Sequence, residues 1–155
     1  MTVKERVLVL GVGNLLMGDE GVGIHVIRRL RSRIRAENIV IVDGGTGGYD
    51  LLEYFEQADL AVVVDAALDD RPPGTISRLS PAFAADYPPT MVSHDIGLKD
   101  TLGALDLLGK KPRLVLFAIS IENPGRLTLE LSPAVERAVP QAVDAIAAYL
   151  QSLTA

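Results

Sequence analysis

Residues 7–23 read VLVLGVGNLLMGDEGVG, and this stretch indicates the class of the fold. Its first six residues form a continuous apolar run, which is typical of a strand buried on both faces of a sheet. A glycine-rich loop follows, and from Val22 onward apolar residues recur at the spacing of a helix packed on one side. The stretch therefore predicts strand, loop and helix, the opening unit of an α/β protein with a parallel sheet.

The same order continues along the chain. Residues 39–42 predict a second buried strand that ends at Asp43, and residues 60–64 predict a third that ends at Asp65. A short helix from about Tyr49 to Ala58 lies between them. Strands that alternate with helices predict right-handed crossovers and helices on both faces of the sheet.

The second half of the sequence supplies the remaining elements. Residues 75–79 alternate like an antiparallel edge strand, and residues 113–119 form another strong strand. A helix begins after Gly97. Ser132 and Pro133 open the last helix, with a side-chain cap from the serine and a kink or restart at Pro140. At 155 residues the chain is predicted to form a single domain over residues 1–155.

Composition excludes several classes of function. A net charge of −5 argues against nucleic acid as a partner, because binding phosphates requires clustered Lys and Arg. Cysteine is absent, which excludes disulfides, thiolate zinc sites and a cysteine nucleophile, and suits a cytoplasmic protein. No uninterrupted apolar stretch approaches the roughly 20 residues that cross a bilayer, so we expect no membrane association.

The glycine-rich loop is unsuited to binding phosphate. The pattern of a dinucleotide-binding loop would start at Gly11, but Leu16 then occupies the place of the third glycine. Asp19 and Glu20 would also stand close to the pyrophosphate and repel it. A carboxylate beside a helix N-terminus stays ionised and can bind a cation, and simple capping of the helix by Asp19 or Glu20 is the alternative.

Acidic residues are also predicted at the ends of two strands. Asp43 and Asp65 would lie at the same sheet edge as Glu20, and carboxylates gathered there repel one another unless a cation neutralises them. Asp43 has an alternative role, since a strand-ending Asp often accepts hydrogen bonds from the amides of a following glycine turn. For Asp65 the neighbouring sequence offers no charged partner.

The sequence holds two histidines, His25 and His94. His25 reads as an ordinary residue of the first helix, whereas His94 lies in an irregular segment of the kind that carries ligands. Glu20, Asp65 and His94 together form a mixed oxygen and nitrogen set that nickel, zinc, iron or manganese accepts. There is no Gly-x-Ser-x-Gly motif, and adjacent Ser93 and His94 do not make a catalytic serine arrangement.

These motifs occur in an order that resembles the hydrogenase maturation peptidases. They are Gly-x-Gly-Asn-x-Leu-x-x-Asp-Glu-Gly-x-Gly from Gly11, Asp43-Gly44-Gly45-Thr46, Asp65-Ala66 and His94-x-x-Gly97-Leu98. The resemblance implies a phosphorylase/hydrolase-like, three-layer α/β/α sandwich around a mostly parallel five-stranded sheet with one antiparallel strand. It also implies that Glu20, Asp65, His94 and Asp43 are the catalytic residues, and that the first three contact the metal.

The resemblance further implies the reaction. Members of the family are endopeptidases that remove a C-terminal extension from the large-subunit precursor of a nickel-iron hydrogenase after nickel insertion, and nickel carried by the substrate is the recognition element. We therefore expect nickel, or another divalent metal in its place. A monomer is the default expectation for the oligomeric state. A noncatalytic nickel-binding maturation factor and a nucleotide-binding α/β enzyme are the alternatives.

Overall fold

The computed structural model describes residues 4–82, 84–95 and 97–153, and the side chains of Ala84, His94 and Asp95 lie outside that description. One sheet has the strand order β2-β1-β3-β5-β4. The strands are β1 (Val7–Val12), β2 (Ile39–Gly45), β3 (Leu60–Ala67), β4 (Ile76–Leu79) and β5 (Arg113–Ser120). All pairings are parallel except that of β4 with β5, as the sequence predicted.

Helices cover both faces of this sheet. They are α1 (Val22–Leu30), α2 (Leu52–Glu56), α3 (Leu98–Leu108) and α4 (Pro133–Ser152). Alternate residues of β1 and β3 enter two separate cores, one shared with α1 and α4 and the other with α2 and α3. Because both faces are covered, the central strands are apolar at nearly every position. The three-layer α/β/α fold is confirmed.

Three details differ from the predicted elements. β2 is an edge strand rather than a buried one, and Val40 is 50% exposed. β3 continues to Ala67, so Asp65 lies within the strand and not after it. α4 runs without interruption through Pro140, so no restart occurs there.

The N-terminal end of α1 lies directly against the carboxyl ends of β1 and β3. A Cβ added to Gly23 would lie 2.2 Å from the carbonyl oxygen of Val64 and 2.7 Å from that of Val12. Gly13, with φ of +137°, likewise leaves no room for a Cβ beside the carbonyl oxygen of Glu20. These glycines let the loop that carries Glu20 fold down onto the strand that carries Asp65.

None of the helices in the described ranges is long and apolar enough to cross a membrane.

Candidate active site

Asp65 is a fully buried carboxylate near the carboxyl end of β3, the central strand of the sheet. Its Oδ1 accepts a hydrogen bond from the backbone N–H of Ala66, and its Oδ2 accepts one from that of Ser93, both at 2.8 Å. The side-chain hydroxyl of Ser93 also lies near the carboxylate and favours its charged form. Among the side chains that the structure describes, none forms an ion pair with Asp65.

This environment changes the acidity of Asp65. Burial raises its pKa from 3.8 to about 7, the negative charge of Glu20 adds to the rise, and the hydrogen bonds from Ser93 and Ala66 oppose it. The 3-10 helix Gly18–Gly21, which carries Glu20, packs against β3, so the two carboxylates lie at the same edge of the sheet. A cation placed between them would favour the charged form of both.

Glu20 is held at this edge by a distant part of the chain. Its half-buried side chain accepts a hydrogen bond at Oε2 from the backbone N–H of Gly125, at 2.5 Å. A short parallel pairing brings the two segments together. In it the N–H of Gly18 donates to the carbonyl of Thr128 at 2.8 Å, and the N–H of Thr128 donates to the carbonyl of Leu16 at 2.9 Å.

Asp19 has a structural role in the described contacts. Its Oδ1 accepts from the backbone N–H of Ser132 at 2.8 Å, and its Oδ2 accepts from the hydroxyl of the same serine at 2.7 Å. The residue preceding α1 is Gly21, and no side chain caps that helix, so the capping alternative for Asp19 and Glu20 is wrong. The expected cap of α4 by Ser132 is also absent, because its hydroxyl turns to Asp19 instead.

Asp43 lies at the same sheet edge but farther from β3. It pairs with Gly11 of β1, and two strand spacings of about 4.8 Å separate β2 from β3. Its Oδ1 accepts a hydrogen bond from the N–H of Gly45 at 3.1 Å, and its Oδ2 lies 3.5 Å from Nη2 of Arg28. The glycine-turn role that the sequence left open is therefore present, and a catalytic role for Asp43 stays a prediction.

The side chain of His94 lies outside the described part of the structure, so its role as a ligand stays a prediction. Its backbone belongs to a short 3-10 helix, Val92–Asp95, and the preceding residue, Ser93, bonds to Asp65. The structure thus brings Glu20, Asp65 and the backbone segment of His94 to one edge. Among the side chains that are described, no three His, Cys, Asp or Glu residues form a metal-binding group.

His25 belongs to a different surface. It lies in α1 and lines a cleft together with Arg29 and Glu136, and its Nε2 has no hydrogen-bond partner among the described residues. Burial lowers the pKa of His25, and the charges of Arg28 and Arg29 lower it further. It therefore favours the neutral form and acts as a residue of the helix, as the sequence suggested.

The chain is similar to known proteins of one family. The family model described as hydrogenase maturation protease matches residues 24–149. The chain belongs to the hydrogenase maturation protease family. This match confirms the resemblance to the hydrogenase maturation peptidases that the motifs indicated. The predicted α/β fold and endopeptidase activity are confirmed with it.

Individual relatives of the protease agree with this assignment. The hydrogenase 2 maturation protease of Escherichia coli K12 is 32% identical over 149 residues, which cover 94% of this chain and 91% of the relative. The structure of the E. coli hydrogenase maturating endopeptidase HybD has a TM-score of 0.85 at 33% identity, with 95% and 93% of the two chains covered. The NiFe hydrogenase maturation protease HybD from Thermococcus kodakarensis has a TM-score of 0.76 at 27% identity, with 94% and 98% covered.

The structure of the protease also shows residues at the site that the sequence did not identify. Ser93 contacts Asp65 and Tyr87 contacts Ser93, while Gly125 holds Glu20 and Ser132 holds the loop through Asp19. Of these residues, only Ser93 could have been linked to the site from the sequence, because it directly precedes His94. The other contacts join segments far apart in the sequence, which periodicity and motifs do not reveal.

The raised pKa of Asp65 predicts a pH-dependent stability for the protease. The unfolded chain releases this proton near 3.8 while the folded chain holds it to about 7, so the free energy of unfolding falls as pH rises across that interval. Relative to Asp65→Asn, the wild type is expected to lose a few kcal/mol over this range, with no further change above it. Urea denaturation at a series of pH values, with a chelator present, measures the free energy of unfolding of the wild type minus that of Asp65→Asn. A value that stays constant or increases between pH 3.8 and about 7 contradicts the prediction.

Proposed function

We propose that this hydrogenase maturation protease removes a C-terminal extension from the large-subunit precursor of a nickel-iron hydrogenase after nickel has been inserted. Two observations support the proposal. The chain belongs to a protease family, and the relatives it matches include a hydrogenase 2 maturation protease. The observation that carries the proposal is the buried Asp65 carboxylate beside Glu20, an arrangement that a cation would stabilise.

The nickel ion is part of the substrate, and Glu20, Asp65 and His94 would contact it. The donor set fits, because carboxylate oxygens and an imidazole nitrogen are ligands that divalent transition metals accept. Glu20 keeps one carboxylate oxygen, Oε1, without a hydrogen bond among the described residues, while Gly125 holds the other. The incomplete set leaves coordination positions for ligands that the precursor brings.

The precursor chain has room beside these carboxylates. A cleft of about 370 Å³ borders Glu20, and it is lined by Glu20, Leu68, Pro89, Thr90, Met91 and Val92. An extended precursor segment in this cleft would place its peptide bond near the carboxylates. Holding the reacting groups in this geometry would raise the cleavage rate, because less entropy is lost on reaching the transition state. Nickel on the precursor would supply Lewis-acid polarisation of a carbonyl or of water.

A carboxylate that assists the attacking water is a further part of the proposal. Asp19 is poorly suited, because both of its oxygens accept hydrogen bonds from Ser132. Asp43 is better suited, since its side chain is 30% exposed and its Oδ2 faces only Arg28 among the described residues. We therefore assign any such general-base role to Asp43 rather than to Asp19.

We also propose that the enzyme acts in the cytoplasm, as a monomer, on a protein substrate. The sequence lacks cysteine, which suits a reducing compartment, and its net charge of −5 does not favour nucleic acid. A noncatalytic nickel-binding factor is the alternative that shares the same site. It would bind the precursor without shortening it.

The experiment compares nickel-loaded and nickel-free precursor with the purified protease. We expect the nickel-loaded precursor to be shortened and the nickel-free precursor to stay intact, because nickel is needed to bring the carboxylates and the peptide together. Mass spectrometry of the precursor measures the shortening. Equal shortening of both forms would contradict nickel recognition, and binding without shortening of either would favour the noncatalytic factor.

A further inference from the structure

A second layer of buried hydroxyl groups lies behind Asp65. The hydroxyl of Tyr87 and that of Ser93 are 2.7 Å apart, and Ser93 contacts Asp65 through both its backbone N–H and its side chain. Tyr87 is 3% exposed and Ser93 is fully buried. We refer to these three residues as the Tyr87–Ser93–Asp65 network.

The direction of the hydrogen bonds follows from counting protons. The serine hydroxyl has one proton, and when it donates that proton to Asp65 its oxygen accepts from Tyr87. Burial and the nearby charge of Asp65 raise the pKa of the tyrosine far above its usual range, so the phenol keeps its proton and donates. The arrangement that best serves a charged Asp65 is the one in which Tyr87 donates to Ser93 and the serine hydroxyl directs its proton toward the carboxylate.

We propose that Tyr87 and Ser93 are positioning residues, which fix the Asp65 carboxylate and the backbone segment of His94 in the arrangement that engages the precursor's nickel. The inference rests on the proposed function. Ser93 is central, because it bonds to Asp65 and directly precedes His94 in the chain. One short network thus orients one predicted ligand and anchors the backbone that carries another.

A purely structural role does not account for this network. Burying a carboxylate and two hydroxyl groups costs free energy that apolar side chains would avoid. The fold also tolerates a serine without such a network. Ser120 is fully buried too, and its hydroxyl has no hydrogen-bond partner in the described part of the chain. Removing a group that hydrogen-bonds to a metal ligand and orients it typically lowers metal affinity or activity by roughly tenfold to a hundredfold.

The test compares Ser93→Ala and Tyr87→Phe with the matched control Ser120→Ala, which removes an equally buried hydroxyl. For each variant, the cleavage rate of nickel-loaded precursor is measured at equal folded concentration. The second readout is the ratio of the Kd values for nickel-free and nickel-loaded precursor. That ratio does not depend on the fraction of folded protein, so a merely structural role leaves it unchanged.

We expect Ser93→Ala and Tyr87→Phe to lower both the rate and the ratio by roughly tenfold to a hundredfold, and Ser120→Ala to leave both unchanged. Where Ser93→Ala does not fold, Tyr87→Phe decides, because it leaves Ser93 and its backbone hydrogen bond to Asp65 in place. Values like those of Ser120→Ala would overturn the positioning role. Asp65→Asn is measured in parallel: its normal cleavage would overturn the proposed site as well, whereas its inactivity beside active Ser93 and Tyr87 variants would overturn the positioning role alone.

Discussion

Asp65→Asn is expected to lower the cleavage rate of nickel-loaded precursor by at least about a thousandfold, or about 4 kcal/mol of transition-state stabilisation. The asparagine has nearly the same shape but cannot carry the negative charge that a cation requires. Both carboxylate oxygens also accept backbone hydrogen bonds, from Ala66 and Ser93. An amide group offers one oxygen for two such donors, so one N–H would lose its acceptor. Cleavage followed by mass spectrometry measures the loss.

The matched control for this variant is Asp59→Asn, at the other end of the same strand. Asp59 is exposed and pairs with Arg6, with an Oδ1 to Nη2 distance of 3.2 Å. Exposed ion pairs contribute up to about 1 kcal/mol, so this variant should fold and cleave like the wild type. Cleavage by Asp65→Asn at a rate close to that of Asp59→Asn would show that the buried carboxylate is not part of the active site.

Gly23→Ala is expected to destabilise the fold by at least about 3 kcal/mol. The new Cβ would stand 2.2 Å from the carbonyl oxygen of Val64 and 2.7 Å from that of Val12, and both atoms belong to backbone that cannot rotate away. The N-terminal end of α1 would have to move off the sheet. Because Val64 directly precedes Asp65, the same shift would separate Glu20 from Asp65 and lower the cleavage rate of the molecules that remain folded.

Gly103→Ala provides the comparison, since Gly103 lies in α3 with no atom within 4 Å of an added Cβ. Alanine there should raise stability by up to about 1 kcal/mol, because it favours the helix. Thermal unfolding and urea titration of both variants measure the difference. Equal stability of the two alanine variants would mean that α1 does not pack against the strand ends as closely as described.

The elements of the fold follow from sequence patterns because the burial of each face leaves a regular spacing of apolar residues along the chain. β1 and β3 are covered on both faces, so their apolar runs are continuous and easy to recognise. β2 has a similar run and was predicted to be buried, but its position at the edge depends on the order of strands in space. A pattern along the chain carries no such information.

The site could be predicted in part for the same reason. Glu20 and Asp65 stand at the ends of recognisable elements, and parallel strands bring their carboxyl ends to one edge. Ser132 illustrates what was missed: its sequence is that of a helix cap, yet its hydroxyl bonds to Asp19. Tyr87 lies in an irregular segment with no periodicity, so its contact with Ser93 depends on tertiary packing alone.

The contacts that support Glu20 also bear on when the enzyme becomes competent during its synthesis. Gly125 holds Glu20 across 105 residues, and Ser132 holds Asp19 across 113. When only β1 to β4 and α1 to α3 have been synthesised, Asp19 and Glu20 are present, but the backbone of Gly125 and Ser132 that orients them is not. If Glu20 is part of the active site, we expect proteolytic competence only after residues 125 to 132 have packed against the first loop.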